Sequence, residues 1–264
     1  MTVSLEAPRT TRVTGSDGVE VAVHRWGVPG ALPPVFLQHG FVADTVTNWQ
    51  LTGIVPALLA AGREVVGVDA RGHGRSDTPH DPARYGEARM AEDLQRVADA
   101  LGAQRYDLAG YSMGAIVSLL VAAHDDRVRR LVVGGVGAGV VELGGVDTRT
   151  IGQEALVAAL EATDPAAIAD PAAASFRRLA DGVGADRLAL AAHARVVHTS
   201  PIPLDEVTAP TLVLAGGADP LAARPEVLAG AIPGARLTIV PGDHLGAVAT
   251  AQFATALVTF LGAP

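Results

Sequence analysis

The stretch "YDLAGYSMGAIVSLLVAAH", running from Tyr106 to His124, contains the pentapeptide Gly110-Tyr-Ser-Met-Gly114, of the form G-x-S-x-G. With 30 Gly and seven Ser among 264 residues, random placement produces about 0.09 such matches per chain. The pattern alone therefore decides little, and its flanks decide the matter. "YDLA" reads as a short apolar-leaning strand, and "AIVSLLVAA" reads as a helix. A serine between them sits on a tight strand-to-helix turn at the carboxyl edge of a sheet. Glycines on either side fit a turn that brings two backbones too close for side chains. The helix N-terminus beyond the serine offers free N–H groups that favour developing negative charge.

Around this junction the chain alternates strand and helix patterns. "VEVAVHRWG" (Val19 to Gly27) alternates apolar and polar residues, as a half-exposed antiparallel strand does. The later runs do not alternate: Pro34 to Gly40, Arg63 to Gly74, Tyr106 to Ser112, Val128 to Val136, Pro210 to Asp219 and Ala235 to His244. Short, continuous β-branched runs suit strands covered on both faces, meaning a parallel sheet. Helical patterns separate them at Ile54 to Ala61, Glu87 to Leu101, Ala115 to Ala123, Arg224 to Ala231 and Ala247 to Leu261. This predicts an α/β fold: a doubly wound, mostly parallel sheet with early antiparallel strands at one edge.

One segment breaks the rhythm. From Leu143 to Pro203 there is no convincing strand, only Ala-rich helical pieces interrupted at Pro165, Pro171 and Gly182-Val-Gly184. So long an excursion reads as an inserted helical cap. The expected division is a core of 1–142, a cap of 143–203 and a second core part of 204–264.

A serine hydroxyl needs a base to take its proton, and the base needs an orienting acid. Both are expected later in the chain, at the ends of later strands. Asp219 ends "LVLAGGAD" and His244 ends "LTIVPGDH", and strand ends on one edge of a parallel sheet converge. Asp243 is the other acid to weigh. Asp243 adjoins His244, and adjacent side chains diverge. An oxyanion site needs two N–H donors: Met113, directly after the serine, and Phe41, in the loop after the strand ending at His39-Gly40. His39 and His73 read as turn-shaping residues. His193 and His198 lie in the cap at a spacing that suits no common zinc pair, and are expected to be exposed or at a pocket rim.

Taken together these residues resemble the α/β-hydrolase superfamily over essentially the whole chain. The resemblance is carried by His39-Gly40-Phe41, "DARGHGRSD" (Asp69 to Asp77), Gly110-Tyr-Ser-Met-Gly114, Asp219 and His244. "DARGHGRSD" is characteristic of the lid-bearing esterase, C–C hydrolase and haloperoxidase-like branches, where it reads as structural. The resemblance implies a Ser112-His244-Asp219 triad with Phe41 and Met113 N–H groups as the oxyanion site, and no metal or organic cofactor; some members of the superfamily place the acid after the preceding strand, which here nominates Glu142 or Asp147 instead. A serine nucleophile departs from haloalkane dehalogenases and epoxide hydrolases, which need a carboxylate there. "FVADTVTNW" after Gly40 is unlike the Gly-rich loop of ring-cleavage C–C hydrolases, and Ala115-Ile-Val is unlike the cofactor-free haloperoxidases.

What remains is hydrolysis of a carboxylic ester of a small or medium apolar acyl group. Alternatives on the same triad are a lactonase, thioesterase or perhydrolase, and outside catalysis a ligand receptor on the same fold. Composition agrees with a small-molecule substrate. A net charge of −8 without a Lys/Arg run argues against nucleic acid and against a polybasic membrane patch. The absence of Cys excludes disulfides and thiolate chemistry. "MTVSLEAPRTTRVTG" lacks a signal-peptide layout, and the longest apolar run, Leu131 to Val141, is shorter than the about 20 residues of a spanning helix. The expectation is a cytoplasmic protein; oligomeric state is not legible.

Overall fold

The computed structural model describes residues 7–263. The first six residues, part of the opening segment read above for a leader, lie outside the described residues.

Among the described residues eight strands form one sheet in the order β1-β2-β4-β3-β5-β6-β7-β8. β1 (Arg9–Thr14) and β2 (Glu20–Trp26) are antiparallel, as is the β2–β4 pair. From β4 (Val65–Val68) through β3 (Val35–Gln38), β5 (Tyr106–Tyr111), β6 (Val128–Gly134), β7 (Thr211–Gly216) and β8 (Arg236–Val240) every pairing is parallel. The early antiparallel edge is present as expected, and β1 is the part of it that no sequence run marks. Its sequence RTTRVT is almost wholly exposed, so it carries no burial pattern, and backbone pairing to β2 alone makes it a strand.

The continuous apolar runs are explained by two cores, one on each face. Leu108, Leu131, Val133 and Val213 face α2 (Glu87–Ala100), α3 (Met113–Ala122) and α8 (Pro225–Ala231). Their neighbours Ala109, Val132, Leu212 and Leu214 face α1 (Ile54–Ala60) and α9 (Ala251–Gly262). Period-two alternation thus survives, but both sides are apolar because both are covered. α2 turns Met90, Leu94 and Val97 inward at helical spacing, whereas α3, wedged between α2 and the sheet, is buried nearly all round. At the amino ends of the strands the fully buried Asp107 receives hydrogen bonds from Arg63 and, at 2.8 and 2.7 Å, from Arg129.

The sheet order also fixes where a site can form. β3 lies between β4 and β5, so the chain leaves it first to one side and then to the other. The loops after β3 and β5 diverge over a crevice at the carboxyl edge.

Between β6 and β7 the chain is helical: α4 (Ala138–Leu143), α5 (Gln153–Glu161), α6 (Pro171–Val183) and α7 (Arg187–Ala194). α4 begins ahead of the expected boundary at 143. Asp170 and Asp186 cap α6 and α7 by accepting backbone N–H bonds in the first turn. Leu160, Ala180, Leu190, Ala191 and Ala194 cluster around Val42 of the β3 loop.

Candidate active site

Ser112 stands between β5 and α3 with φ 54° and ψ −118°. It is one of three described non-glycine residues at positive φ. An L-residue adopts that conformation only when the surroundings impose it, and here they do. The Ser112 N–H donates to Gly134 O at 2.8 Å. A Cβ on Gly110 would lie 2.1 Å from Gly114 O, and one on Gly114 would lie 2.1 Å from Gln38 O. Glycine at both positions is therefore what lets β5, α3 and β3 approach closely enough to push the serine up.

Three distant residues meet there. The Ser112 hydroxyl lies 3.0 Å from His244 Nε2, and His244 Nδ1 lies 2.9 Å from Asp219 Oδ2. In the tautomer this chain selects, Nδ1–H donates to Asp219 and Nε2 accepts from Ser112. Asp219 Oδ1 accepts from the N–H groups of Leu221 and Ala222, at 2.9 and 3.3 Å. The ends of β7 and β8 run together, with Gly217 N–H on Val240 O and Ala218 N–H on Gly242 O. This brings the acid beside the histidine. The competing acids are engaged elsewhere: Asp147 with Arg149, Glu142 with Arg149 and Arg224, and Asp243 with the Gly246 N–H.

Tyr111 and Asn48 belong to the same assembly and were not singled out from the sequence. The Tyr111 hydroxyl donates to His244 O at 2.7 Å, and its ring lies 5.4 Å from the imidazole. Burial, with the charges of Asp219 and Asp243, pushes its phenol up, so it stays a donor. Asn48 Oδ1 accepts the Gly40 N–H at 2.9 Å and holds the β3 loop against Ser112. A Cβ on Gly40 would lie 3.4 Å from that of Ser112. Neither residue has a local sequence signal, since each acts across elements.

The β3 loop carries Phe41, and Met113 is the first residue of α3, so its N–H has no partner within the helix. Val42 follows at φ 71°, a strained value for a β-branched residue, and is held by burial among the helices that follow β6. "DARGHGRSD" fixes this loop from below. Asp69 accepts from Thr45 N–H, Arg75 N–H and His24, each at 2.9 Å. Burial alone would raise its carboxyl, but His24, the nearby His39 and the Arg75 N–H hold it well below the usual range. Arg71 pairs with Asp93 and Asp17, which lie outside the block. His39 bridges Gly40 O and the Ala70 N–H, so it shapes the turn.

Two cavities open at Ser112, with Phe41 and Phe176 on the wall of both. The narrower, about 70 Å³, is nearly all apolar and is lined by Met113, Val146, Ile151, Leu156 and Leu221, together with Glu87 and His193. The wider, about 210 Å³, is lined by Asn48, Thr52, Tyr111, His244 and Leu245. One expectation is corrected here. His193 is neither exposed nor at a rim: it is 1% exposed, stacked on Tyr85 and edge-on to Phe41. α7 turns it inward on the side it lays over the β3 loop, where it meets Phe41. His198 is half-buried. Among the described residues no three His, Cys, Asp or Glu side chains cluster as a metal would require, and no helix is long and apolar enough to cross a membrane.

The alpha/beta hydrolase fold family matches residues 33–138. A crystal structure of a hydrolase from Pseudomonas aeruginosa PA01 superposes with a TM-score of 0.78 at 31% identity, covering 98% of this chain and 100% of that one. The chain belongs to the α/β-hydrolase fold family. Among curated relatives, epoxide hydrolase A of Mycobacterium tuberculosis is 37% identical over 120 residues, 45% of this chain and 36% of its own length. The 2-hydroxymuconate semialdehyde hydrolase of Pseudomonas sp. (strain CF600) is 33% identical over 136 residues, 51% of this chain and 46% of its own length. The chain thus matches less than half the length of each of these curated relatives.

Proposed function

We propose that this hydrolase cleaves carboxylic esters of short acyl groups through an acyl-enzyme, with residues 143–203 acting as a cap over the site. The observation that carries the reading is the continuous hydrogen-bond chain from Asp219 through His244 to Ser112 at a strained strand-to-helix turn. Ser112 Oγ attacks the ester carbonyl while its proton passes to His244 Nε2. The carbonyl electrons move onto an oxyanion received by the Phe41 and Met113 N–H groups. Collapse expels the alkoxide, which takes the proton from His244 and leaves as the alcohol. Water then attacks the acyl-enzyme, giving one proton to His244, which returns it to Ser112.

The two cavities support a division of the substrate. The group that protonates the leaving oxygen must lie beside it, so the alcohol belongs in the wider cavity, which His244 lines. The acyl group belongs in the narrower one, which Met113 lines and His244 does not. A cavity of about 150 Å³ holds benzene, so roughly half that volume suits an acyl chain of about two to four carbons. The carboxylate nucleophile that epoxide opening needs is replaced by Ser112.

A panel of p-nitrophenyl esters from acetyl to decanoyl, run beside a styrene oxide, a thioester, a lactone and a vinylogous 1,5-diketone, tests the reading. The expected result is a maximum kcat/KM at two to four carbons among the esters. Turnover of the diketone or epoxide in preference to every ester would overturn it.

A further inference from the structure

The narrow cavity is mostly apolar, and its wall includes a buried polar pair that the proposed triad does not use. Glu87, the first residue of α2, and His193, in the last turn of α7, are both nine-tenths or more buried, and both line this cavity with Ser112. His193 Nε2 stands 3.6 Å from Glu87 Oε1, longer than a hydrogen bond, and neither ring nitrogen of His193 has a hydrogen-bond partner. The ring cannot swing away to find one. It is stacked on Tyr85 at 5.8 Å and set edge-on to Phe41 at 5.4 Å and to His73 at 6.0 Å. Glu87 is held as firmly, since its Oε2 accepts the His198 N–H at 2.7 Å. Burial pushes the Glu87 carboxyl up, and the neighbouring His193 and backbone N–H groups pull it down past that. Of the other polar residues on this wall, Asp147 is paired with Arg149 and Gln153 Nε2 donates to Ala194 O, and Thr148 adds a hydroxyl.

Buried polar atoms without partners are rare and costly, and a preorganised carboxylate and imidazole bordering a mostly apolar slot have the form of a recognition point. Building on the ester-hydrolase reading, we infer that Glu87 and His193 together bind a hydroxyl group on the acyl part of the substrate, so that the preferred substrates are short hydroxyacyl esters. A hydroxyl oxygen placed off the line between the two groups reaches both, donating its proton to Glu87 Oε1 and accepting from His193. A plain alkyl chain would bury both polar groups with nothing to bind them.

The test compares p-nitrophenyl esters of butanoate-sized acids in matched sets, with a hydroxyl, its isosteric methyl or an amino group at C2, C3 or C4. At one position the hydroxyl is expected to exceed the methyl by about 10²-fold or more in kcat/KM, because a site built to bond a hydroxyl discriminates strongly against its absence. H193F, which keeps the stacked ring, and E87Q, which keeps an acceptor for the His198 N–H, should each collapse that ratio to below about tenfold. The ratio in the unaltered protein is informative even if a variant fails to fold. A ratio near one at all three positions, or a preference for the amino ester, overturns the inference while leaving the hydrolase reading intact. Absence of any fluorophosphonate adduct on Ser112 instead removes the hydrolase reading, and this inference with it.

Discussion

Replacing Asp219 by Asn removes one negative charge and changes almost no volume. Oδ1 already accepts two backbone N–H groups, from Leu221 and Ala222. The Asn carbonyl must keep that place, because turning its NH2 toward them would set donors against donors. The amide NH2 therefore faces His244 Nδ1, which stands 2.9 Å from the other carboxylate oxygen. Nδ1 must then accept, the imidazole proton moves to Nε2, and the ring presents N–H to a serine whose proton it should take. This tautomer exchange in other serine triads costs about 10⁴-fold in kcat, or about 5.5 kcal/mol in barrier. Loss of the charge that stabilises the imidazolium acts in the same direction. Initial rates on a short-chain p-nitrophenyl ester at pH 8, with a thermal melt alongside, make the assay. We expect kcat to fall by about three to four decades, with the melting temperature nearly unchanged. A kcat within tenfold of the parent, or equal losses from the same change at Asp147, would refute the reasoning.

The packing of the turn makes sharper stability claims. G114A drives a Cβ to 2.1 Å from Gln38 O and should cost about 3 kcal/mol or more. G182A, in α6 with nothing within 4 Å of the new Cβ, should be neutral or stabilise by up to about 1 kcal/mol; urea midpoints separate the two. D107A leaves the buried Arg63 without its carboxylate and should lower stability by about 3–5 kcal/mol in the same titration. Burial holds His73 well below its ordinary value, with the neighbouring His39 and His193 adding to the effect, and burial lowers His39 too. Below about pH 6.5 the unfolded chain takes up protons that the folded chain refuses, so stability falls as pH drops from there toward the folded values. The melting temperature should decline between pH 7.5 and 5.5, and less steeply in H73Q.

Much of this geometry is readable in the sequence because it depends on local signals. The glycines around Ser112 announce the turn. Asp219 and His244 each stand just past an apolar run, and a parallel sheet gathers such ends. β1 escapes because an exposed edge strand leaves no apolar pattern. Tyr111, Asn48 and the Glu87–His193 pair escape for a different reason. Each is a common residue type whose role comes from a partner on another element, and nothing nearby in the chain marks that partner. His193 is the clearest example: an imidazole on an Ala-rich helix reads as a surface residue until α7 is laid over the β3 loop.

The central claim is that Ser112 is a nucleophile activated by His244, and a fluorophosphonate probe followed by mass spectrometry of the digested protein tests it most directly. A single adduct on Ser112 is expected, absent from S112A and slowed by about 10³-fold or more in H244A, as in other triads. Labelling that persists in S112A, or that lands on another residue, would contradict it.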